Sequence, residues 1–232
     1  MDTLITGTAS GIGRATAALF LERGHRVWGL DIAEPTLEHE NYQHLVCDVS
    51  DAASLPDDLE PEVVISNAGV QGTEDDIAVN LHGTINVVEK YAFAGDATGG
   101  RRELGLAPAP RIRSVVCVGS ASGHTGSEFP RYAASKGGVI AYTKNVAGRL
   151  APQAICNGVD PGGVLTELNL PVMEDERLWG RIMDLTPLRR WATPEEIAEW
   201  IYFVAVTNRF MTGQNLLIDG GEAGRTEFVW PD

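Results

Sequence analysis

A tyrosine and a lysine lie four residues apart in the segment RYAASKGGVI, which spans residues 131–140. In a helix this spacing places Tyr132 and Lys136 on one face, one turn apart. A tyrosine with an ordinary pKa of about 10 is a poor base at neutral pH. An ammonium ion at close range favours the tyrosinate, so we expect Lys136 to lower the pKa of Tyr132. The pair would then exchange a proton with a hydroxyl group, although the spacing alone also fits a solvated helix surface.

Ser120 is a third candidate, because it lies where the predicted strand RSVVCVGSASG (113–123) runs into a Ser/Gly turn. At the carboxyl edge of an open α/β sheet, its hydroxyl would hold an oxygen whose charge changes during reaction. Ser122 is the alternative, with an ordinary turn serine as its other interpretation. His124 either contacts substrate or, more commonly for such a residue, is a satisfied loop histidine.

The segment TGTASGIG at 6–13 predicts a phosphate-binding turn between a strand and a helix. Gly7 permits the tight turn, Gly11 lets the backbone approach a pyrophosphate, and Gly13 allows close packing. The N-terminus of the following helix offers free N–H groups and the positive end of its dipole. Taken alone, the glycines also fit a simple strand–helix connection.

Asp31 ends the second predicted strand, where a carboxylate accepts hydrogen bonds from the ribose hydroxyls of NAD and repels the 2′-phosphate of NADP. Ile32 and Ser10 are uncharged and offer that phosphate nothing. These residues favour NAD(H), although an aspartate in this position is also common as a turn residue.

Secondary structure must position these groups, and the chain contains alternating strand-like and helix-like segments. The predicted strands are 2–7, 25–31, 42–49, 62–69, 113–123, 154–163 and 213–221. The predicted helices are 11–24, 51–59 (short and acidic), 77–95, 131–151 and 194–206. Because the strands are nearly continuous Val/Ile/Leu runs, they predict an α/β fold: a doubly wound, Rossmann-type parallel seven-stranded sheet with helices on both faces. We expect one domain over 1–232, with a surface loop at 95–111, a substrate flap at about 164–191 and a docked tail at 222–232.

The composition of the chain excludes some classes of binding partner. The net charge of −14 over 232 residues argues against nucleic acid or an anionic membrane. No apolar run is long enough to span a bilayer, and the start of the chain leaves no room for a signal peptide, so we expect a cytoplasmic protein. Cys47, Cys117 and Cys156 are far apart without ligand spacing, which predicts buried free thiols rather than a disulfide or a metal site.

The ordered motifs resemble those of the short-chain dehydrogenase/reductase family, in its compact one-domain branch. They are TGTASGIG, CDV (47–49), NAG (67–69), VNLHG (79–83), VGSASG (118–123), YAASK (132–136), DPGGVLTEL (160–168), PLRRWATPEEIA (187–198) and GQNLLIDGG (213–221). The resemblance implies that Tyr132 is the acid/base, that Lys136 holds the nicotinamide ribose, and that Ser120 bonds the substrate oxygen. It also implies that Asn80 anchors a water beside Lys136, with a core or capping amide as the alternative. Asp160 departs from the family, in which a small residue usually precedes Pro-Gly.

Motifs and resemblance together predict three sets of site residues. The catalytic set is Ser120, Tyr132, Lys136 and Asn80. The cofactor-binding set is Gly7, Ser10, Gly11, Ile12, Gly13, Asp31, Ile32, Asp48, Val49, Asn67, Ala68, Gly69, Tyr132, Lys136, Pro161, Gly162, Val164 and Thr166. The substrate set is Ser120, Ser122, Tyr132 and Gly163.

The predicted function is an NAD-dependent oxidoreductase that interconverts a secondary alcohol and a ketone, with a hydroxysteroid-like or other apolar cyclic alcohol as one substrate class. The resemblance also implies a homotetramer or homodimer. Two alternatives stay open: a non-catalytic dinucleotide-binding sensor or scaffold, and an NADH-dependent carbonyl or 3-oxoacyl reductase. A sugar-nucleotide epimerase or dehydratase is less favoured, because few residues follow Pro161 to build a larger substrate domain.

Overall fold

The computed structural model of the protein describes residues 1–93 and 108–224. Residues 95–107 of the predicted loop and 225–232 of the predicted tail lie outside the described residues. In the described part, seven parallel strands form one sheet, which confirms the predicted fold class. They are β1 (Asp2–Thr6), β2 (Arg26–Asp31), β3 (Tyr42–Val46), β4 (Val63–Ser66), β5 (Ser114–Val118), β6 (Ile155–Pro161) and β7 (Asn215–Ile218).

The strands lie in the order β3-β2-β1-β4-β5-β6-β7, and each neighbouring pair is parallel. The chain moves outward from β1 to β3 on one side and then returns to place β4 on the other side of β1. The direction of winding therefore reverses between β1 and β4. In open α/β sheets, ligands bind outside the carboxyl ends of the strands at such a point.

Helices connect most of the strands, although the segments from β2 to β3 and from β3 to β4 contain none. The helices are α1 (Gly11–Glu22), α2 (Thr84–Ala92), α3 (Ser122–Thr125), α4 (Pro130–Leu150), α5 (Leu170–Met173), α6 (Glu176–Leu185) and α7 (Pro194–Tyr202). Wide π-helical turns occupy Ile77–Gly83, directly before α2, and Phe203–Thr207, directly after α7. Helix α7 begins with a capping box, in which the Thr193 hydroxyl accepts from Glu196 N and the Glu196 carboxylate accepts from Thr193 N.

The sheet carries an apolar core on each face, because successive side chains of a strand point in opposite directions. Phe20 of α1 and Ile197 of α7 pack against one face. Val88 of α2 and Val146 of α4 pack against the other. Strands β4 and β5 are buried at every residue, whereas β3, at the edge of the sheet, exposes Val46.

The predicted helix at 51–59 is wrong, because this segment forms turns. The backbone makes two successive four-residue β-turns, closed by hydrogen bonds from Asp51 N to Asp48 O and from Ser54 N to Asp51 O. The Ser54 hydroxyl donates to the same two carbonyl groups, at 2.6 and 2.8 Å. A side chain that occupies these acceptors competes with the helical backbone, and Pro56 has no N–H to continue it.

The three cysteines, Cys47, Cys117 and Cys156, are buried and free. Within residues 1–93 and 108–224 there is no cluster of three or more side chains suited to hold a metal ion. No helix in that part of the chain combines the length and the apolar character that crossing a membrane requires.

Candidate active site

The carboxyl ends of the strands open into a cleft of about 1270 Å³. Most of the predicted site residues line it. They are Gly7, Ser10, Gly11, Ile12, Asp31, Ile32, Asp48, Val49, Asn67, Ala68, Gly69, Ser120, Ser122, Tyr132, Lys136, Pro161, Gly162, Gly163, Val164 and Thr166. Gly13 and Asn80 do not line the cleft, and both are buried.

The glycine-rich turn between β1 and α1 folds closely against itself and against the end of β4. Gly7 has a φ of +76°, which a residue with a side chain rarely adopts. At Gly13, a Cβ atom would lie 1.9 Å from the carbonyl oxygen of Gly7 and 2.6 Å from Nδ2 of Asn67. The approach of α1 to the strand ends therefore depends on a hydrogen atom at position 13.

An anionic side chain accepts a hydrogen bond from the first N–H group of α1. Gly11 N donates a hydrogen bond to Oε2 of Glu167 at 3.2 Å, and Oε1 of Glu167 pairs with Arg14 at 2.9 Å. A hydrogen bond from its own backbone, with further contributions from Arg14 and Gly11, holds the pKa of Glu167 below its usual range. Neither Glu167 nor Arg14 was predicted from the sequence, because nothing in the spacing relates the flap to this turn. Helix N-termini attract anions, so the contact shows that this end of α1 accepts one.

Asp31 points back toward the glycine-rich turn. Its Oδ2 accepts a hydrogen bond from Ala9 N at 2.9 Å, and its Oδ1 accepts one from Ala33 N at 3.0 Å. Both contacts orient the carboxylate at the edge of the cleft. Ile32 beside it is 72% exposed and brings no charge.

Thr6 is a site residue that the sequence did not reveal. Its hydroxyl accepts hydrogen bonds from the N–H groups of Asn67 and Ala68, both at 2.9 Å, and its carbonyl accepts one from Nδ2 of Asn67 at 3.0 Å. These bonds fix the cleft-lining turn after β4 against the end of β1. A threonine directly before the first glycine of the turn was the available signal. Asp48, by contrast, uses Oδ1 to accept two hydrogen bonds from Ser50.

Helix α4 and strand β5 bring the predicted reactive groups together. Lys136 Nζ lies 5.8 Å from the centre of the Tyr132 ring and donates to the carbonyl oxygen of Val118 at 3.0 Å. The Ser120 hydroxyl accepts a hydrogen bond from Ser122 N at 3.2 Å and is also hydrogen-bonded to the Tyr132 side chain. Helix α4 begins at Pro130, whose missing N–H costs nothing in the first turn.

The electrostatics of this group differ from the expectation. Burial raises the pKa of Tyr132; the hydrogen bond with Ser120 opposes this change, and Asp76 adds to it. Burial lowers the pKa of Lys136 to about 8. The expected lowering of the Tyr132 pKa by Lys136 is therefore wrong for the structure as it stands, because loss of hydration is the largest effect on the tyrosine.

Asn80 is bonded entirely to protein groups. Its Oδ1 accepts from Val70 N at 2.8 Å, while Nδ2 donates to Val70 O at 2.9 Å and to the Ser135 hydroxyl at 3.0 Å. Ser135 in turn donates to the carbonyl oxygen of Tyr132 at 2.7 Å. The side chain thus holds the loop after β4 against α4, which fits the core-amide alternative better than a water-anchoring role for the amide.

The flap begins where β6 ends. Leu165 N donates to Ala192 O at 2.9 Å, and the Trp191 indole covers Gly163, where a Cβ atom would lie 2.0 Å from Nε1. The cleft wall formed here is largely apolar. Its apolar side chains include Leu168, Pro171, Val172, Ile182, Leu185 and Trp191.

His124 lies on α3 and does not line the cleft. Its Nε2 lies 2.5 Å from Oδ2 of Asp160, a fully buried residue of β6. The interpretation of His124 as a satisfied histidine therefore fits better than substrate contact, and Asp160 is the group that satisfies it.

Comparisons with known proteins agree with this arrangement. A family model described as enoyl-(acyl carrier protein) reductase matches residues 7–222. The 3-oxoacyl-(acyl-carrier-protein) reductase of Thermotoga maritima is 34% identical over 94% of this chain and 96% of its own length. A solved oxidoreductase of the short-chain dehydrogenase/reductase family from Burkholderia thailandensis is 30% identical, with a TM-score of 0.81 over 97% of this chain and 93% of that chain. A 4-hydroxyisoleucine dehydrogenase complexed with NADH is 26% identical, with a TM-score of 0.83 over 97% of this chain and 99% of that chain.

Proposed function

Because the chain belongs to the short-chain dehydrogenase/reductase family, we propose that it transfers a hydride between NAD(H) and an uncharged secondary alcohol or the corresponding ketone. One observation carries the proposal. Ser120, Tyr132 and Lys136 line the same cleft as the glycine-rich turn and Asp31. A proton-handling group and a dinucleotide cradle in one cleft are what such a reaction needs.

The described residues fit a nicotinamide dinucleotide. Gly11 N already bonds a carboxylate, so it suits a phosphate oxygen. The Asp31 carboxylate suits a ribose with free hydroxyl groups and disfavours a 2′-phosphate. NADH in the similar 4-hydroxyisoleucine dehydrogenase supports the same choice. Once bound, NAD would supply the hydride acceptor.

The protein's own groups manage the proton. Tyr132 accepts the hydroxyl proton of the alcohol, while Ser120 donates a hydrogen bond to the substrate oxygen. Because burial raises the pKa of Tyr132, the tyrosinate needs a positive charge close by. Lys136 supplies it, since a pKa of about 8 leaves the amine mostly protonated at neutral pH.

The charges of the cleft favour an uncharged substrate. Of the described residues that line it, six are acids and one is a lysine: Asp31, Asp48, Asp75, Glu128, Glu167, Glu222 and Lys136. An acyl group carried on a phosphopantetheine arm brings phosphate charges, which the acids away from the glycine-rich turn, Asp75, Glu128 and Glu222, would repel. The apolar wall at the flap suits a ring or chain without charge. An NADH-dependent 3-oxoacyl reductase is the second candidate, supported by the Thermotoga maritima relative.

The test is a panel of uncharged cyclic and linear secondary alcohols with NAD, followed by the absorbance of NADH. Tyr132→Phe is expected to abolish turnover and to leave NADH binding intact, because it removes only the hydroxyl group. Tyr142→Phe is the matched control, since Tyr142 lies on the same helix and bonds Glu89 outside the cleft. Turnover that survives Tyr132→Phe would refute the assigned role. NADH binding without turnover of any alcohol or ketone would favour the sensor alternative.

A further inference from the structure

Asp160 is a carboxylate without an assigned task in the reaction. It lies in β6, is fully buried, and its Oδ2 pairs with Nε2 of His124 at 2.5 Å. Among the described residues, its Oδ1 has no hydrogen-bond partner. The carboxylate packs directly over Gly119, where a Cβ atom would lie 2.1 Å from Oδ1. A buried carboxylate with one unpaired oxygen costs free energy unless a compensating charge lies nearby.

Lys136 of α4 lies close by, because its Nζ donates to Val118 O at 3.0 Å and Val118 directly precedes Gly119, over which the carboxylate packs. Burial is the largest effect and raises the Asp160 pKa, whereas His124 from α3, then Lys136 from α4 and the Gly119 backbone favour the ionised carboxylate. Cys117 faces it from β5. From β7, Asn215 contributes an uncharged amide, whose Oδ1 is also buried without a partner.

Asp160 in turn acts on the pKa of Lys136. Burial lowers the pKa of Lys136, and the groups that oppose burial are Asp160 first, then Cys117 and Asp76. Tyr132, one turn away on the same helix, completes the set of titratable neighbours. Asp160 is therefore the principal counter-charge of Lys136 among the described residues.

We propose that Asp160 is a positioning residue that keeps Lys136 in its ammonium form, and that His124 holds Asp160 in place and ionised. The proposal rests on the proposed function, because it acts on Tyr132 only through Lys136. The side chain of His124 is 32% exposed, so it joins the buried carboxylate to the surface of the protein. The aspartate before Pro-Gly thereby gains a role that a small residue could not fill.

The protein is well suited to a direct test, because its sequence contains three lysines, Lys90, Lys136 and Lys144. With lysine labelled at the ε-carbon, NMR resolves each amine, and Lys136→Met assigns the buried one. In Asp160→Asn we expect the pKa of Lys136 to fall by at least about one unit, while those of Lys90 and Lys144 stay unchanged. An unchanged Lys136 pKa in folded Asp160→Asn would overturn the proposal.

His124→Ala supplies a second variant, which removes a partly exposed side chain and keeps the test open if Asp160→Asn does not fold. It should move the Lys136 pKa in the same direction by a smaller amount, and His124→Gln, which retains a donor, should restore part of the shift. No shift in His124→Ala would refute the part assigned to His124. Thr212→Val is the control, because it removes a hydrogen bond to Cys156 N at the opposite end of β6. It should change nothing at Lys136.

A kinetic readout separates this inference from the proposed function. If the protein oxidises an alcohol, the alkaline limb of kcat against pH should move to lower pH in Asp160→Asn by about the same one unit. A limb that stays in place would refute the link to catalysis. If no alcohol or ketone is turned over but the Lys136 pKa still falls, the proposed function fails and the counter-charge stands.

Discussion

Replacing Asp31 with asparagine is expected to change which nicotinamide cofactor the protein prefers. The carboxylate is held beside the glycine-rich turn by the N–H groups of Ala9 and Ala33, so it cannot swing away from a cofactor that carries a 2′-phosphate. Such a phosphate bears a charge of about −1.5 to −2. Asparagine keeps the shape of the side chain and one acceptor oxygen, so the change isolates the charge.

The size of the effect follows from Coulomb's law. Two unit charges about 4 Å apart repel by about 1 kcal/mol in bulk water and by about 4 kcal/mol near a protein surface. Asp31 is half-buried in an open cleft, so we take a repulsion of about 2–3 kcal/mol for the phosphate. At 1.4 kcal/mol per factor of ten, this is roughly 30- to 150-fold in affinity. NADH should lose only about 1 kcal/mol, from one weakened hydrogen bond.

Fluorescence titration of NADH and NADPH at one fixed ionic strength measures the ratio of their Kd values. In Asp31→Asn the preference for NADH should shrink by that factor multiplied by the roughly fivefold loss of NADH affinity, which is roughly 150- to 750-fold in all. Asp51→Asn is the matched control, because it removes one charge close to the same end of the cleft but does not line it. A ratio that is unchanged in Asp31→Asn, or a wild-type protein that binds NADPH as tightly as NADH, would refute the reasoning.

Three further outcomes are expected. Glu167→Gln should tighten NADH binding about fivefold in titration, because the phosphate no longer competes with a carboxylate for Gly11 N; an exposed ion pair of this kind is worth about 1 kcal/mol or less. Gly13→Ala should lower the free energy of unfolding in urea by about 1–3 kcal/mol, because its Cβ would overlap backbone. The Glu196 pKa is lowered to about 2, first by its hydrogen bond with Arg190. Its contribution to stability is therefore present above its ordinary pKa of 4.5 and is lost as the pH falls toward 2. Glu196→Gln should flatten the pH dependence of urea unfolding in that range.

Each of these has its own control. Glu174→Gln removes an exposed charge at the end of α5 and should leave NADH affinity alone. Gly148→Ala, where a Cβ meets nothing within 4 Å, should stabilise α4. Glu195→Gln should keep the acid dependence of the wild-type protein. Weaker NADH binding in Glu167→Gln, or a Gly13→Ala protein as stable as wild type, would contradict the contacts described above.

The sequence predicted the alternation of strands and helices and a parallel sheet, because both depend on local patterns. Apolar runs such as 114–118 predict central parallel strands. The four-residue spacing of Tyr132 and Lys136 places both side chains on one face of α4. The absence of a helix at 51–59 could not be predicted from such patterns, because the Ser54 hydroxyl bonds the carbonyl groups that a helix would use. Composition favoured the helix, and one side-chain contact decided against it.

The features that could not be predicted from the sequence depend on tertiary contacts. Gly11 and Glu167 are 156 positions apart, and no periodicity connects them. The direction in which the Tyr132 pKa shifts could not be predicted from the sequence either, because it depends on how completely the ring is buried rather than on the identity of its neighbour. Asp160 was visible as a departure from the family, but its partner His124 became clear only when β6 and α3 were placed side by side.

The contact between Asp160 and Gly119 makes the residue allowed at one position depend on the residue at the other. Any side chain at position 119 would overlap the aspartate carboxylate, whose Oδ1 is 2.1 Å from where a Cβ would stand. A side chain at position 119 and a carboxylate at position 160 therefore exclude each other in this packing. An engineered variant with alanine at 119 should regain wild-type stability only when position 160 also carries a smaller residue.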